Sequence, residues 1–147
     1  MSVLRAARST DAGAVGAILS EFVDTTDWMP RVHTRAEDLA HAGTLIARGW
    51  VTVAQVEDKV VGFSACDEER LNALYVAKAA RGQGIRSALV ATLQATQPKL
   101  RVWTFQANAG AQRFYARHGF VEVTRTDGAK NDEKLPDIRL EWAKGAV

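Results

Sequence analysis

A chain of 147 residues that is 47% hydrophobic and 24% charged, with a formal net charge of +2, has the make-up of one folded domain, not of a disordered or fibrous segment. No apolar run approaches the ~18 residues of a membrane span, and Met1-Ser2-Val3-Leu4-Arg5 lacks the long apolar core of a secretory leader. The lone cysteine, Cys66, excludes an internal disulfide, suits a reducing cytoplasm, and reads as core filler in a strand.

Val3–Ala7 reads as a short first strand. Ser9 or Thr10 then caps a helix whose apolar face, Ala14, Val15, Ile18, Leu19 and Phe22, recurs at helical spacing. Asp24–Arg31 is polar at its start and holds Pro30, so it reads as a loop. Thr34 with Glu37 three residues on is a capping box for a second helix, which runs to about Arg48 and is ended by Gly49. Trp50–Val56 and Val60–Ala65 flank the turn Glu57–Lys59 as a hairpin. The acidic turn Asp67–Arg70 leads into a strand, Leu71–Val76. After a glycine-rich turn, Arg81–Arg86, and a helical segment, Ser87–Leu93, Pro98 announces the strand Leu100–Phe105. Helix Ala109–His118 stops at Gly119. Strand Phe120–Thr126, a polar loop Asp127–Pro136 and a last strand Asp137–Trp142 follow. The order is β-α-α-β-β-β-α-β-α-β-β, with no internal repeat and no low-complexity linker.

The glycine-rich turn is the most informative stretch. A strand that feeds glycines opening a helix presents unpaired amides at the positive end of a helix dipole, which suits a phosphate or diphosphate. Glycines let the backbone approach the anion, and Arg81 adds a charge beside it. A P-loop would end in Gly-Lys-Ser/Thr, whereas Gly84 is followed by Ile85-Arg86-Ser87. A dinucleotide fingerprint would carry a third glycine where Ser87 stands, and would open the chain, not interrupt it. The charges agree with an anion in the second half. Residues 1–73 carry 7 basic and 11 acidic side chains, and residues 74–147 carry 12 and 6. Nucleic acid is disfavoured as the anion, because there is no Lys/Arg run, no zinc-ligand spacing and no RNA-binding aromatic signature.

A second motif decides among the anions. Asn108-Ala109-Gly110-Ala111-Gln112-Arg113-Phe114-Tyr115-Ala116-Arg117-His118-Gly119-Phe120 follows the pattern N-x-x-A-x-x-F-Y-x-x-x-G-F. It resembles motif B of the GNAT acetyltransferases, and Arg81-x-x-Gly84 resembles their motif A, in the family's order and covering roughly a third of the chain. The resemblance implies an α/β, single-domain GNAT fold across 1–147, a twisted mixed β-sheet flanked by helices on both faces. It also implies acetyl-CoA as cofactor and a parallel strand pair, Leu71–Val76 and Leu100–Phe105, that splays to admit the pantetheine arm. Cofactor contacts then fall to Leu74, Tyr75 and Val76 on the first of those strands, to Arg81, Gly82, Gln83, Gly84, Ile85, Arg86 and Ser87 in the turn, and to Asn108, Ala111, Phe114 and Tyr115.

Acetyl transfer to an amine requires a neutral amine, a stabilised oxyanion and a protonated leaving thiol. By its place in motif B, Tyr115 resembles the family's general acid; a phenol of pKa ~10 is protonated at neutral pH and matches a thiol of ~8.5. Asn108 also reads as the N-cap of its helix, and the family's oxyanion donor is a backbone N–H near Tyr75 and Val76. Two departures stand out. Many members carry a Glu six residues before the valine matching Val76, where this chain has Arg70; Glu69 is the candidate base but would face the opposite side on an unbulged strand, and a solvated turn is the favoured reading of Asp67, Glu68 and Glu69. Position 86 is usually Gly or Ala, so Arg86 either crowds the diphosphate or pairs with it.

The acceptor is set in this family by Asp24–His33 and Asp127–Pro136. Trp28 and Met29 are candidate walls there, and Glu133, like Asp27, Asp132 and Asp137, is a candidate holder of a cation. His33, His41 and His118 lack metal-ligand spacing, so no metal is expected; His118 reads as a helix-dipole partner. The expectation is a cytoplasmic N-acetyltransferase acting on a primary amine of a small molecule or peptide, with no nucleic-acid or membrane partner. A homodimer is the commonest assembly for such a chain. The alternative is a catalytically weak acyl-CoA-binding sensor.

Overall fold

The computed structural model describes residues 2–145. Seven strands form one sheet: β1 (Ser2–Ala6), β2 (Val51–Val56), β3 (Lys59–Asp67), β4 (Arg70–Val76), β5 (Lys99–Phe105), β6 (Val121–Thr126) and β7 (Asp137–Ala143). Their order is β1-β2-β3-β4-β5-β7-β6, antiparallel throughout except for the β4–β5 pair. Four helices cover it: α1 (Ala12–Asp24), α2 (Arg35–Ala47), α3 (Ile85–Thr96) and α4 (Ala109–Arg117). The mixed sheet and the element order expected from the sequence are present, with short 3-10 turns added at Ser9–Asp11 and Lys78–Ala80.

Alternation along the strands sorts the core into two layers. Val51, Val53, Phe63 and Ala65 pack with Val15, Ile18, Ala42 and Leu45 of α1 and α2. Val61, Leu74, Val76, Leu100 and Val102 pack with Leu89 and Val90 of α3 and with Phe114 and Tyr115 of α4. Each large side chain so buried contributes ~1.5–3 kcal/mol before conformational entropy is charged against it. The two clusters put α1 and α2 on one face and α3 and α4 on the other.

The first helix begins differently from the sequence expectation. Neither Ser9 nor Thr10 caps it. The carboxylate of Asp11 reaches back to accept the Arg8 N–H at 2.7 Å and both arms of the Arg5 guanidinium at 2.8 and 3.0 Å. These hydrogen bonds hold the Asp11 carboxyl at about 2, below its ordinary value, because a buried anion with a bidentate partner resists protonation. The second helix has the expected capping box, Thr34 Oγ1 accepting the Glu37 N–H at 3.1 Å and Glu37 Oε1 accepting the Thr34 N–H at 2.9 Å. Between the helices, Arg31 donates to Asp24, to Asp38 and to the Ser20 carbonyl, which pins the connection that carries Trp28.

The functional geometry comes from β4. It pairs with β5 only at Arg70↔Arg101 and Leu71↔Val102, after which the strands part. A bulge leaves Asn72 without a partner on β3, since Ala65 faces Ala73 while Cys66 faces Leu71. The extra residue reverses the parity of the strand, so Leu71 joins the same core layer as Leu74 and Val76. The unbulged strand assumed for placing Glu69 is therefore not the one present.

Candidate active site

The turn before α3 has the form of an anion cradle. Gly82 and Gly84 hold φ of +79° and +77°, a left-handed conformation that side chains disfavour, and Gly84 has open space on the side where a Cβ would stand. Gly84 caps α3 without any side-chain hydrogen bond, and the first helical bond runs from the Ala88 N–H to the Gly84 carbonyl at 3.0 Å. The amides of Ile85, Arg86 and Ser87 precede that bond and have no partner within the helix. Arg81 is exposed at the rim. Arg86 lies with its guanidinium 4.3 Å from the centroid of the Phe114 ring. Three convergent amides with two arginines suit the diphosphate of coenzyme A.

From this cradle a cleft of about 720 Å³ runs between the parted ends of β4 and β5. Leu74, Tyr75 and Val76 line one wall, and past Leu71 the β5-facing edge of β4 has no strand beside it, which leaves backbone groups for an amide-bearing arm. Asn108, Ala111, Phe114 and Tyr115 line the other wall. Asn108 Oδ1 accepts the Ala111 N–H at 3.0 Å, so the expected N-cap is present, and the small Ala111 is buried in the cleft wall. The Tyr115 ring is held edge-on by Phe114 at 5.3 Å and by Phe120 at 5.1 Å. Burial, then the neighbouring Tyr75, push its phenol well above the ordinary tyrosine range, while Arg86 works the other way. Tyr115 is thus a fixed, firmly protonated donor facing the cleft.

The opposite mouth of the cleft is aromatic. Trp28 meets Phe22 at 6.3 Å and Phe105 at 5.8 Å, both nearly edge to face, and Phe22 lies 4.8 Å from Tyr75. A second cavity of about 540 Å³ adjoins the first, sharing Trp103 and Thr104, and Glu133 lines it. Tyr75 feels this carboxylate: burial first, and the charge of Glu133 second, push its phenol up to about 12. His33 Nε2 stands 3.5 Å from Asp132 Oδ2, so the two segments expected to choose the acceptor meet.

Most of the expected residues are brought together, and three are not. Gln83 and Met29 line neither cavity. Glu69 sits at the closed end of the β4–β5 pair, where its carbonyl accepts the Arg101 N–H at 2.8 Å and its carboxylate lies 3.8 Å from the Arg101 guanidinium. That position is a half-exposed ion pair outside the cleft, because the strands diverge only beyond it. His118 is also corrected. Its Nε2 is 3.1 Å from Ser87 Oγ and its ring 4.6 Å from Phe114, and burial together with Arg117 and Arg86 lowers its pKa, so a charged dipole partner is disfavoured. Sequence reasoning missed Asn72, Trp103, Thr104 and Arg117, all of which line the cleft, as does Asp27, one of the acids named as a candidate holder of a cation. Trp103, half exposed in the middle of a strand, was the one with a readable signal.

Comparison with known proteins supplies independent evidence. The family model described as an acetyltransferase (GNAT) domain matches residues 47–122, just over half of the chain. The peptidyl-lysine N-acetyltransferase YjaB of Escherichia coli is 29% identical over 141 residues, covering 95% of both chains. The peptidyl-lysine N-acetyltransferase YiaC of Escherichia coli is 36% identical over 98 residues, covering 65% of this chain and 64% of its own. The solution structure of apo YjaB from Escherichia coli superposes with a TM-score of 0.81 at 25% identity, over 99% of each chain. The structure of yncA from Salmonella typhimurium with its cofactor acetyl-CoA shares the fold, with a TM-score of 0.77 at 18% identity over 100% of this chain and 96% of that one.

Proposed function

This chain belongs to the GNAT acetyltransferase family and moves an acetyl group from acetyl-CoA to an amine, and from that premise we propose that the amine is a lysine side chain presented in a peptide. The observation that carries the reading is the pairing of an aromatic mouth, Trp28 with Phe105, and an acid beyond it, Glu133. A lysine has a four-carbon stem for the first and an ammonium for the second. The two Escherichia coli relatives, YjaB and YiaC, are named for the same acceptor class.

In this reading the whole chain works as one domain. The amides of Ile85, Arg86 and Ser87, with Arg81 and Arg86, hold the diphosphate. The free edge of β4 from Ala73 to Val76 aligns the arm, and a backbone N–H near Tyr75 or Val76 faces the thioester oxygen. Bound acetyl-CoA supplies the activated acetyl carbon. Tyr115 gives its proton to the departing sulfur. Transfer is direct: burial pushes the Cys66 thiol up to about 11, its Sγ donates to the Glu68 carbonyl, and it lines neither cavity. A cytoplasmic location fits this reduced thiol, and among the described residues no helix is long and apolar enough to cross a membrane. The assembly in this reading is a homodimer, the commonest one.

Release of free thiol from acetyl-CoA, measured over lysine peptides and small amines, tests the proposal. Lysine peptides are expected to be the better acceptors. Tyr115→Phe is expected to slow the chemical step by ~10²-fold without weakening cofactor binding, because it removes the proton donor and keeps the ring. An unchanged rate would place the donor elsewhere, and a preference for free small amines would remove the peptide.

A further inference from the structure

Among the described residues, Glu133 is the acid near the cleft with a carboxylate oxygen both buried and unpartnered. Its Oε2 is shut from solvent yet has no hydrogen-bond partner among the described residues. A carboxylate oxygen left so costs free energy unless something arrives to meet it. The loop that carries it is built to hold it there. Asn131 donates to the Leu135 carbonyl at 2.7 Å and to Asp137 Oδ2 at 3.2 Å, and it accepts the Leu135 N–H at 3.2 Å. Lys134, at a φ of +56°, turns its ammonium away to the Ala129 carbonyl, 2.8 Å off. The nearest cation in sequence is thereby committed to the backbone.

The placement relative to the cleft matters as much. Glu133 shares its cavity with Trp103 and Thr104, which also line the main cleft, and its charge reaches Tyr75 on β4. Tyr75 in turn bears on Tyr115. Tyr75 and Tyr115 both line the main cleft, and Glu133 lines the cavity that opens beside it. Asp27 is the carboxylate that lines the main cleft itself; it is exposed and neither tyrosine registers its charge. The charged and titratable groups around Glu133 are Tyr75 from β4, Asp127 and Lys130 from its own loop, and Asp137 from β7.

We propose that Glu133 is the catalytic base of the reaction, in place of an acid on β4: it meets the acceptor ammonium and takes one of its protons. This rests on the lysine-acceptor reading above. The acceptor enters as an ammonium with three protons. One passes to the Glu133 carboxylate, which frees the nitrogen lone pair. The nitrogen bonds to the thioester carbon and the carbon–sulfur bond breaks. The sulfur leaves with the Tyr115 phenol proton, and a second nitrogen proton restores the phenol. The third stays on the amide, and Glu133 returns its proton to water. Tyr75, whose phenol burial and then the Glu133 charge push up to about 12, stays protonated through the step.

The need for such a base is large, since a lysine amine of pKa ~10.4 is neutral in well under a thousandth of molecules at pH 7. The test follows acetyl transfer to one lysine peptide from pH 7 to pH 10 by wild type, Glu133→Gln, Glu133→Asp and Tyr115→Phe. Glu133→Gln is expected to lose ~10²-fold in kcat at pH 7, and the deficit is expected to fall below about tenfold near pH 10, where the free amine no longer needs a base. Glu133→Asp, which keeps the carboxylate, is expected to recover part of the loss, and calorimetry with acetyl-CoA is expected to give the wild-type affinity for both. A deficit in Glu133→Gln that is absent, or constant across pH, overturns the assignment while leaving the lysine reading intact if wild type and Tyr115→Phe behave as stated. Failure of wild type to acetylate the peptide at any pH removes the acceptor reading and this inference with it.

Discussion

Arg86 shows how one residue that departs from a family pattern can be read from its contacts. The sequence left two options, crowding the diphosphate or pairing with it. The guanidinium stands over the Phe114 ring at the edge of the cleft, half-buried, so the loop in front of the α3 amides stays open while the charge remains beside it. Desolvation lowers the Arg86 pKa against the opposing effect of Tyr115, with Arg81 and Arg117 adding to the lowering, and among the described residues no ion pair involves any of these three arginines. A diphosphate would relieve that repulsion. Arg86→Ala is accordingly expected to weaken acetyl-CoA binding by about tenfold, the range of one charge-assisted hydrogen bond, as read by calorimetry. Tighter binding by the variant would mean that the side chain obstructs the site.

Elements, more than single residues, determined what the sequence could reveal. Helices with caps and periodic faces were legible: Thr34 with Glu37, Asn108 with Ala111, and the Ala14-to-Phe22 stripe each carry a local signal. The Asn72 bulge was not, because an extra residue in one strand is visible only against its partner strand. With the bulge hidden, the side of β4 on which each residue falls could not be assigned, and the candidate acid Glu69 was weighed against the wrong parity. Glu133 was named only as one of several acids that could hold a cation. Its approach to Tyr75, 58 positions earlier in the chain, depends on β5 and β7 lying side by side. The loop between β6 and β7 makes that approach. Its hinge is Gly128, with a φ of +83°, where a Cβ would run into the Leu135 backbone. Gly128→Ala is therefore expected to force the loop open, to raise KM for the acceptor several-fold and to leave the affinity for acetyl-CoA as it was. An unaltered KM would show that the loop does not hold the acceptor.

At the scale of the whole molecule, the sheet separates two tasks. The face under α3 and α4 carries the arginines, the free amides and Tyr115, and the face under α1 and α2 carries the aromatic mouth. The excess of basic residues after position 73 falls with the first of these, as an anionic cofactor requires. The two meet only where β4 and β5 part. Opening that gap costs a run of strand hydrogen bonds, which a bound arm lying along β4 would replace. Binding should then stabilise the fold by mass action, so that the melting temperature rises with cofactor concentration. The most direct test is a calorimetric titration of the folded protein with acetyl-CoA, run beside a melting curve. The account predicts one site per chain and a rise in melting temperature that grows with the concentration of acetyl-CoA. No heat and no thermal shift, on protein whose fold is intact, would contradict it.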